Sequence, residues 1–150
     1  MRCLTRHVLA AALLGAVGCS VFTDPDDDLA TDLQRAEFRW QQAGVQDYQV
    51  VVQNLCFCGY TRPVRLTVRQ GTVVSRGDAA TGEVAPTYAN PRDIPELFDL
   101  VREAIERDAY KMTVTYDPQY GFPRQINIDY IGNAVDDELS VTVSEFQSTR

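Results

Sequence analysis

Apolar residues recur along this chain with two distinct periods, and the change of period divides it into elements. Over 29–43, Leu29, Leu33, Ala36 and Trp40 fall at spacings of three and four, which places them on one face of a helix. Asp28 can cap that helix, or Thr31 with Gln34 three residues on can form a capping box. Gly44 suits the left-handed exit, and Trp40, the only tryptophan, reads as a core anchor. The period then drops to two. Tyr48, Val50 and Val52 alternate with Gln49, Val51 and Gln53; Val64, Leu66 and Val68 alternate with Arg65, Thr67 and Arg69. Gln70-Gly71 supplies a tight turn, and 72–76 returns as a third strand. Residues 77–92 carry Gly, Pro and Ala without periodicity and read as a long loop, either mobile or functional.

The helical period returns at 93. Asp93 is the cap, Pro95 lies in the first turn and Glu96 stands three residues after the cap. Ile94, Leu97, Phe98, Val101 and Ile105 form the apolar stripe. Three alternating strands follow, carrying Met112, Val114 and Tyr116, then Ile126, Ile128 and Tyr130, then Leu139, Val141 and Val143. Short β–β connections favour antiparallel pairing, and clean alternation favours a sheet with one wet face. The expected fold is α+β, a mainly antiparallel sheet of about six strands in the order α-β-β-β-α-β-β-β, with two helices packed on one face.

The first residues follow neither period. Met1 to His7 are basic through Arg2 and Arg6, 8–17 are apolar, and Gly18-Cys19-Ser20 follows, the layout of an export signal. An apolar run of about ten residues is too short to span about 30 Å of hydrocarbon as a helix. Leu13-Leu14-Gly15-Ala16-Val17-Gly18-Cys19 resembles the lipobox of bacterial lipoproteins, with Ala16 where leucine is usual. The resemblance implies that 1–18 is cut away and that Cys19 carries a covalent lipid holding the chain to a membrane. An ordinary export signal that happens to contain a cysteine is the alternative. Ser20, rather than Asp, implies sorting to the outer membrane, facing the periplasm, in a Gram-negative cell. Residues 19–28, lipidated Cys and an acidic stretch broken by Pro25, read as an extended tether, and 29–150 as a single domain.

The export signal changes the arithmetic of charge and cysteine. The whole chain is −7, from 14 basic and 21 acidic residues; without Arg2 and Arg6 the remainder is −9. That balance disfavours nucleic acid and electrostatic docking on anionic lipid. Cys3 leaves with the signal and Cys19 takes the lipid, so Cys56 and Cys58 remain in an oxidising compartment. Both share the inward parity of Val50 and Val52 if their strand continues. Residues i and i+2 of a flat strand lie about 6.5–7 Å apart at Cα, so a bridge between them needs a bend, which Gly59 helps allow. A structural disulfide or buried thiol pair, a redox-active dithiol and a Cu(I) site remain open, with Met112 as the one further soft ligand.

From Trp40 onward the chain resembles the domain of unknown function 6174 family of bacterial secreted and lipid-anchored proteins. The resemblance rests on Trp40 before Asp47-Tyr48, Cys56-Phe57-Cys58, Pro63-Val64-Arg65-Leu66-Thr67-Val68, Gly71-Thr72-Val73-Val74, and Leu97-Phe98-Asp99-Leu100. It continues through Val114-Thr115-Tyr116-Asp117-Pro118, Tyr120-Gly121-Phe122-Pro123, Ile128-Asp129, Asp136-Asp137-Glu138 and a final strand ending at Phe146. It implies no activity.

The one histidine, His7, lies in the signal, which removes histidine from any nucleophilic pair, general base or metal site of the remainder. No phosphate-binding glycine loop is present. Asp129, Asp136, Asp137 and Glu138 offer hard oxygen ligands suited to Ca²⁺, but an EF-hand register from Asp129 meets Ile131, Ala134 and Ser140 at its ligand and glycine positions. Tyr60, Tyr88, Tyr120 and Phe122 fall in predicted loops, where aromatics line partner surfaces or anchor turns; the second role suits Tyr120 and Phe122. The residues therefore favour a non-enzymatic module that binds an envelope protein or component, with thiol-redox or copper handling by Cys56 and Cys58 as the alternative. No cofactor is expected beyond the lipid.

Overall fold

The computed structural model describes residues 25–149 except 58 and 135, and for 25–27 and 88 the backbone alone. The predicted signal, Cys19, the first part of the tether, Cys58 and the Tyr88 side chain lie outside the described residues. Helix α1 is Pro25–Ala43 and α2 is Ile94–Glu106. The strands are β1 Tyr48–Cys56, β2 Val64–Arg69, β3 Thr72–Asp78, β4 Lys111–Tyr116, β5 Pro123–Asp129 and β6 Glu138–Ser148. This is the expected α-β-β-β-α-β-β-β order, and the strands form one antiparallel sheet, β3-β2-β1-β6-β5-β4. Among the described residues no helix is long and apolar enough to cross a membrane.

The pattern of burial follows the alternation. Val50, Val52, Val64, Leu66, Val68, Ile126, Ile128, Val141 and Val143 form one buried cluster with Leu33 and Ala36 of α1 and Ile94, Leu97, Phe98 and Val101 of α2. Val51 has the opposite parity yet is also buried. It faces Arg65 on β2 and Ser144 on β6, and at its level the Arg65–Glu145 ion pair (2.6 Å) joins β2 to β6 across β1.

Helix α2 begins as its sequence predicts. The Asp93 carboxylate accepts from Glu96 N at 3.0 Å, and Glu96 Oε2 accepts from Asp93 N at 2.9 Å, a complete capping box. Ile94 N donates to the buried Tyr48 hydroxyl at 3.3 Å, tying α2 to β1. Helix α1 starts at Pro25, earlier than the tether reading of 19–28 allowed, so neither Asp28 nor Thr31 caps it. The reason is in the residue types: proline is preset for a first helical turn, and Asp26, Asp27 and Asp28 supply negative charge where the helix dipole favours it. Gly44 ends α1 at φ 58°, as expected.

The loop 77–92 is neither irregular throughout nor loosely held. β3 runs on to Asp78, Gly77 bridges Val84, a 3-10 turn forms at Thr87–Ala89, and Ala85 and Ala89 enter the core. Gln70 and Gly71, both at positive φ, make the two-residue β2–β3 turn.

One end of the sheet is closed by aromatic rings. Trp40 stands edge-on to Tyr48 (5.7 Å), Phe146 (6.0 Å) and Phe122 (6.3 Å), and Phe146 also meets Phe122 (4.7 Å) and Tyr120 (4.9 Å). A β-bulge brings Phe146 there. Strict alternation after Val141 and Val143 would turn Glu145 inward. Instead the β1–β6 register slips by one, Glu145 and Phe146 together oppose Val50, and Glu145 takes φ 49°. Tyr120 and Phe122 are thus turn anchors. Their turn is shaped by the Asp117 carboxylate, which accepts from Gln119 N at 3.0 Å and Tyr120 N at 2.8 Å.

Gly121, at φ 84° in that turn, lies against α1, where a Cβ would collide with the Ala36 carbonyl oxygen and come within 2.8 Å of Arg39 Cβ. Gly121→Ala is therefore expected to destabilise the domain by about 2–4 kcal/mol, the sum of left-handed strain and overpacking. Gly82→Ala, at φ 74° in open space, carries the strain alone and is expected to cost about 1–2 kcal/mol. Urea unfolding of both variants checks the difference.

Candidate functional site

The end of the sheet opposite the aromatic cluster gathers the chemically distinctive residues. Register places Cys56 opposite Leu139, Leu139 opposite Ile128 and Ile128 opposite Met112, one inward-facing row across β1, β6, β5 and β4. Cys56 is half-buried and its sulfur is not free. Met112 stands three strand spacings away in that row, about 14 Å at the usual interval, which is beyond reach of a metal held by Cys56. Cys58 lies outside the described residues.

The next row pairs Glu138 with Asp129 and Asp129 with Lys111. Beside it, on the outer face of the sheet, is a shallow hollow of about 250 Å³ lined by Lys111, Thr113, Asn127, Asp129, Glu138 and Ser140. Asn127 fixes its floor: Nδ2 donates to Thr113 Oγ1 at 3.1 Å, and Oδ1 accepts from Ser140 Oγ at 2.8 Å. The hollow presents one ammonium and two carboxylates. It is smaller than the usual small-molecule pocket, and its lining offers contacts to a polar group on a larger partner.

The four acidic candidates are divided by the fold. Asp129 and Glu138 face each other across β5 and β6, whereas Asp136 and Asp137 lie on the preceding loop, Asp136 exposed. Both carboxylate oxygens of Asp137 are shielded and have no hydrogen-bond partner among the described residues. No group of three or more His, Cys, Asp or Glu is arranged to hold a metal ion among the described residues.

A second polar centre was not read from the sequence. Asp78, at the end of β3, is buried, and its carboxylate accepts from Ala80 N at 3.0 Å, Thr81 N at 2.9 Å and the Tyr60 hydroxyl at 3.2 Å, while pairing with Arg62 at 2.8 Å. It therefore pins the segment after β3 to the β1–β2 loop. Gln53 Nε2 donates to Thr61 O at 2.9 Å and holds the same loop from β1. The backbone N–H of Thr81, followed by that of Ala80, Arg62 and the Tyr60 hydroxyl, outweighs desolvation and holds the Asp78 carboxyl below its usual range. Asp78-Ala79-Ala80-Thr81-Gly82 has the composition of an Asx turn, and that was the available signal.

The model of a family of unknown function, DUF6174, matches residues 32–148. The chain belongs to that family. No curated protein and no solved structure matches it. Two groups of the residues through which the chain resembles DUF6174 lie at the two ends of the sheet. Trp40, Tyr48, Tyr120, Phe122 and Phe146 build the aromatic closure. Cys56, Phe57, Ile128, Asp129, Asp136, Asp137 and Glu138 gather at the other end.

A lowered carboxyl pKa stabilises the fold above the unfolded value and loses that contribution as pH falls through the folded one. Asp78→Asn is accordingly expected to lower the urea midpoint at neutral pH, with the deficit against wild type shrinking as pH falls below roughly 4. A deficit that stays constant from neutral to acid pH would show that Asp78 acts through packing alone.

Proposed function

We propose that this member of DUF6174 is a bacterial envelope lipoprotein, fastened through Cys19 and acting as a non-enzymatic binding module for an envelope protein or component. The observation that carries the reading is the run Leu13-Leu14-Gly15-Ala16-Val17-Gly18-Cys19 behind a basic start and an apolar segment. Two acyl attachments hold a protein to a bilayer far more firmly than one chain does. Ser20 supports sorting to the outer membrane, with the domain facing the periplasm. The absence of histidine after His7 closes the commonest general-base and nucleophile-activating chemistry.

Intact mass spectrometry of the membrane-extracted protein tests the anchor. The expected mass lacks residues 1–18 and carries diacylglycerol and an N-acyl chain. It is also two hydrogens short, from a bridge between Cys56 and Cys58. Recovery from the cytosol with Met1 in place and no acyl group would end the reading.

The engaged sulfur of Cys56 supports a structural disulfide within Cys56-Phe57-Cys58. A bridge closing so short a loop restricts the unfolded chain only slightly, so replacing both cysteines with Ser is expected to lower stability by about 1–2 kcal/mol. Thiol-redox or copper handling is the competing reading, and it has lost Met112 as a ligand. A redox or copper phenotype of the double variant, with little change in thermal stability, would establish it instead.

A further inference from the structure

Large apolar side chains stay in water at several places, Val84 after β3, Phe38 on α1 and Val74 on β3 among them, and four more lie at the end of the sheet opposite the aromatic closure. Phe57 is 87% exposed, Tyr110 69%, Ile131 61% and Leu55 49%. They lie along one end of the sheet in two groups: Leu55 and Phe57 flank Cys56 at the end of β1, while Tyr110 precedes β4 and Ile131 follows β5, three and two strand spacings away. The loop carrying Ile131 is braced from below. Gly132 rests on the Tyr110 ring, where a Cβ would come within 2.6 Å, and Arg107 lies 4.4 Å over the Tyr130 ring. The Ile131 side of the rim is therefore held in place.

The first helix starts at that same end. Leu29 of α1 lines one hollow with Tyr110, Lys111 and Met112. Pro25, the first residue of α1, lies one turn earlier, about 6 Å further along the helix. Only six steps of chain separate Pro25 from Cys19, a reach of at most about 20 Å even when fully extended. A lipid on Cys19 therefore keeps this end of the domain within about 20 Å of the bilayer.

We propose that the rim formed by Phe57, Leu55, Ile131 and Tyr110 is a membrane-docking surface that seats the domain on the bilayer holding its own anchor. The proposal rests on the lipoprotein reading above. Aromatic and branched apolar side chains gain by leaving water for the interfacial layer, and the anchor supplies a high local concentration, so each contact need only be weak. The acidic residues at this end, Asp129, Asp136 and Glu138, are repelled by anionic headgroups; the surface therefore fits zwitterionic lipid. Docking also leaves the aromatic end and the β2–β3 and β4–β5 turns pointing away from the membrane.

The test uses the acylated full-length product, extracted from membranes and reconstituted into phosphatidylcholine vesicles with brominated acyl chains. Phe57→Trp is compared with Gln119→Trp, on the exposed β4–β5 turn at the far end, each against wild type, whose Trp40 gives the common background. Both positions are exposed, so neither substitution disturbs the core. On reconstitution the Phe57→Trp emission is expected to move to shorter wavelength and to be quenched at least twofold more than that of Gln119→Trp. Equal quenching of the two variants, in protein that floats with the vesicles, overturns the docking surface while leaving the anchor intact. Protein that does not float with the vesicles overturns the anchor and the docking surface together.

Discussion

β1 and β6 come from opposite ends of the folded chain and form the middle of the sheet, and every other strand is arranged around their pairing. Bringing 48–56 against 138–148 closes a loop of roughly 90 residues, which costs about 4 kcal/mol of chain entropy. Val50, Val52, Val141 and Val143 are all buried there, and burying each is worth about 1.5 kcal/mol or more, so that together the four are of the same order as the closure cost. Until this pairing forms, β1-β2-β3 and β4-β5-β6 are two separate antiparallel meanders, each with an open strand where its neighbour should be. The pairing also decides which side chains can close the domain. The extra residue in β6 turns Glu145 out toward Arg65 and Phe146 in toward Trp40 and Tyr48. A straight β6 would put a carboxylate among the other four aromatic rings, in place of Phe146.

What the sequence discloses follows from how local each signal is. The capping box of Asp93 and Glu96, the glycine exit at Gly44, the Gln70-Gly71 turn and the alternation of Val64, Leu66 and Val68 each depend on residues a few positions apart, and each matches the structure. The bulge at Glu145 was not legible, because an apolar residue one position out of phase reads as the end of a pattern and the partner strand supplies the reason for the slip. The loop 77–92 was opaque for a similar cause: Ala85 and Ala89 are too small to mark a buried position by themselves, and they are covered only because Gly77 bridges Val84 and β3 holds the segment down.

The candidate site shows the same division. Cys56 and Met112 share the inward parity the alternation assigns, but strand order separates them, and strand order is set by the β1–β6 pairing rather than by either residue's neighbours. Asp129 and Glu138 are brought together by that order, while Asp136 and Asp137, adjacent in sequence, stay on the loop. Asp78 is the converse case. Its turn was written locally, yet its importance comes from Tyr60 and Arg62, both distant in sequence, whose approach depends on the β1–β2 pairing.

The two ends of the sheet are built on opposite principles. At one end, Trp40, Tyr48, Tyr120, Phe122 and Phe146 are committed to one another, with several contacts each worth about 0.5–1.5 kcal/mol beyond burial, and Gly121 leaves room for α1 to close over them. At the other end, Phe57 and Ile131 remain largely in water and contribute little to folding, since a side chain that stays solvated gains almost nothing from the folded state. Stability therefore accounts for the aromatic end and leaves the apolar rim unexplained. On the docking proposed above, the bilayer is the surface outside the domain that covers that rim.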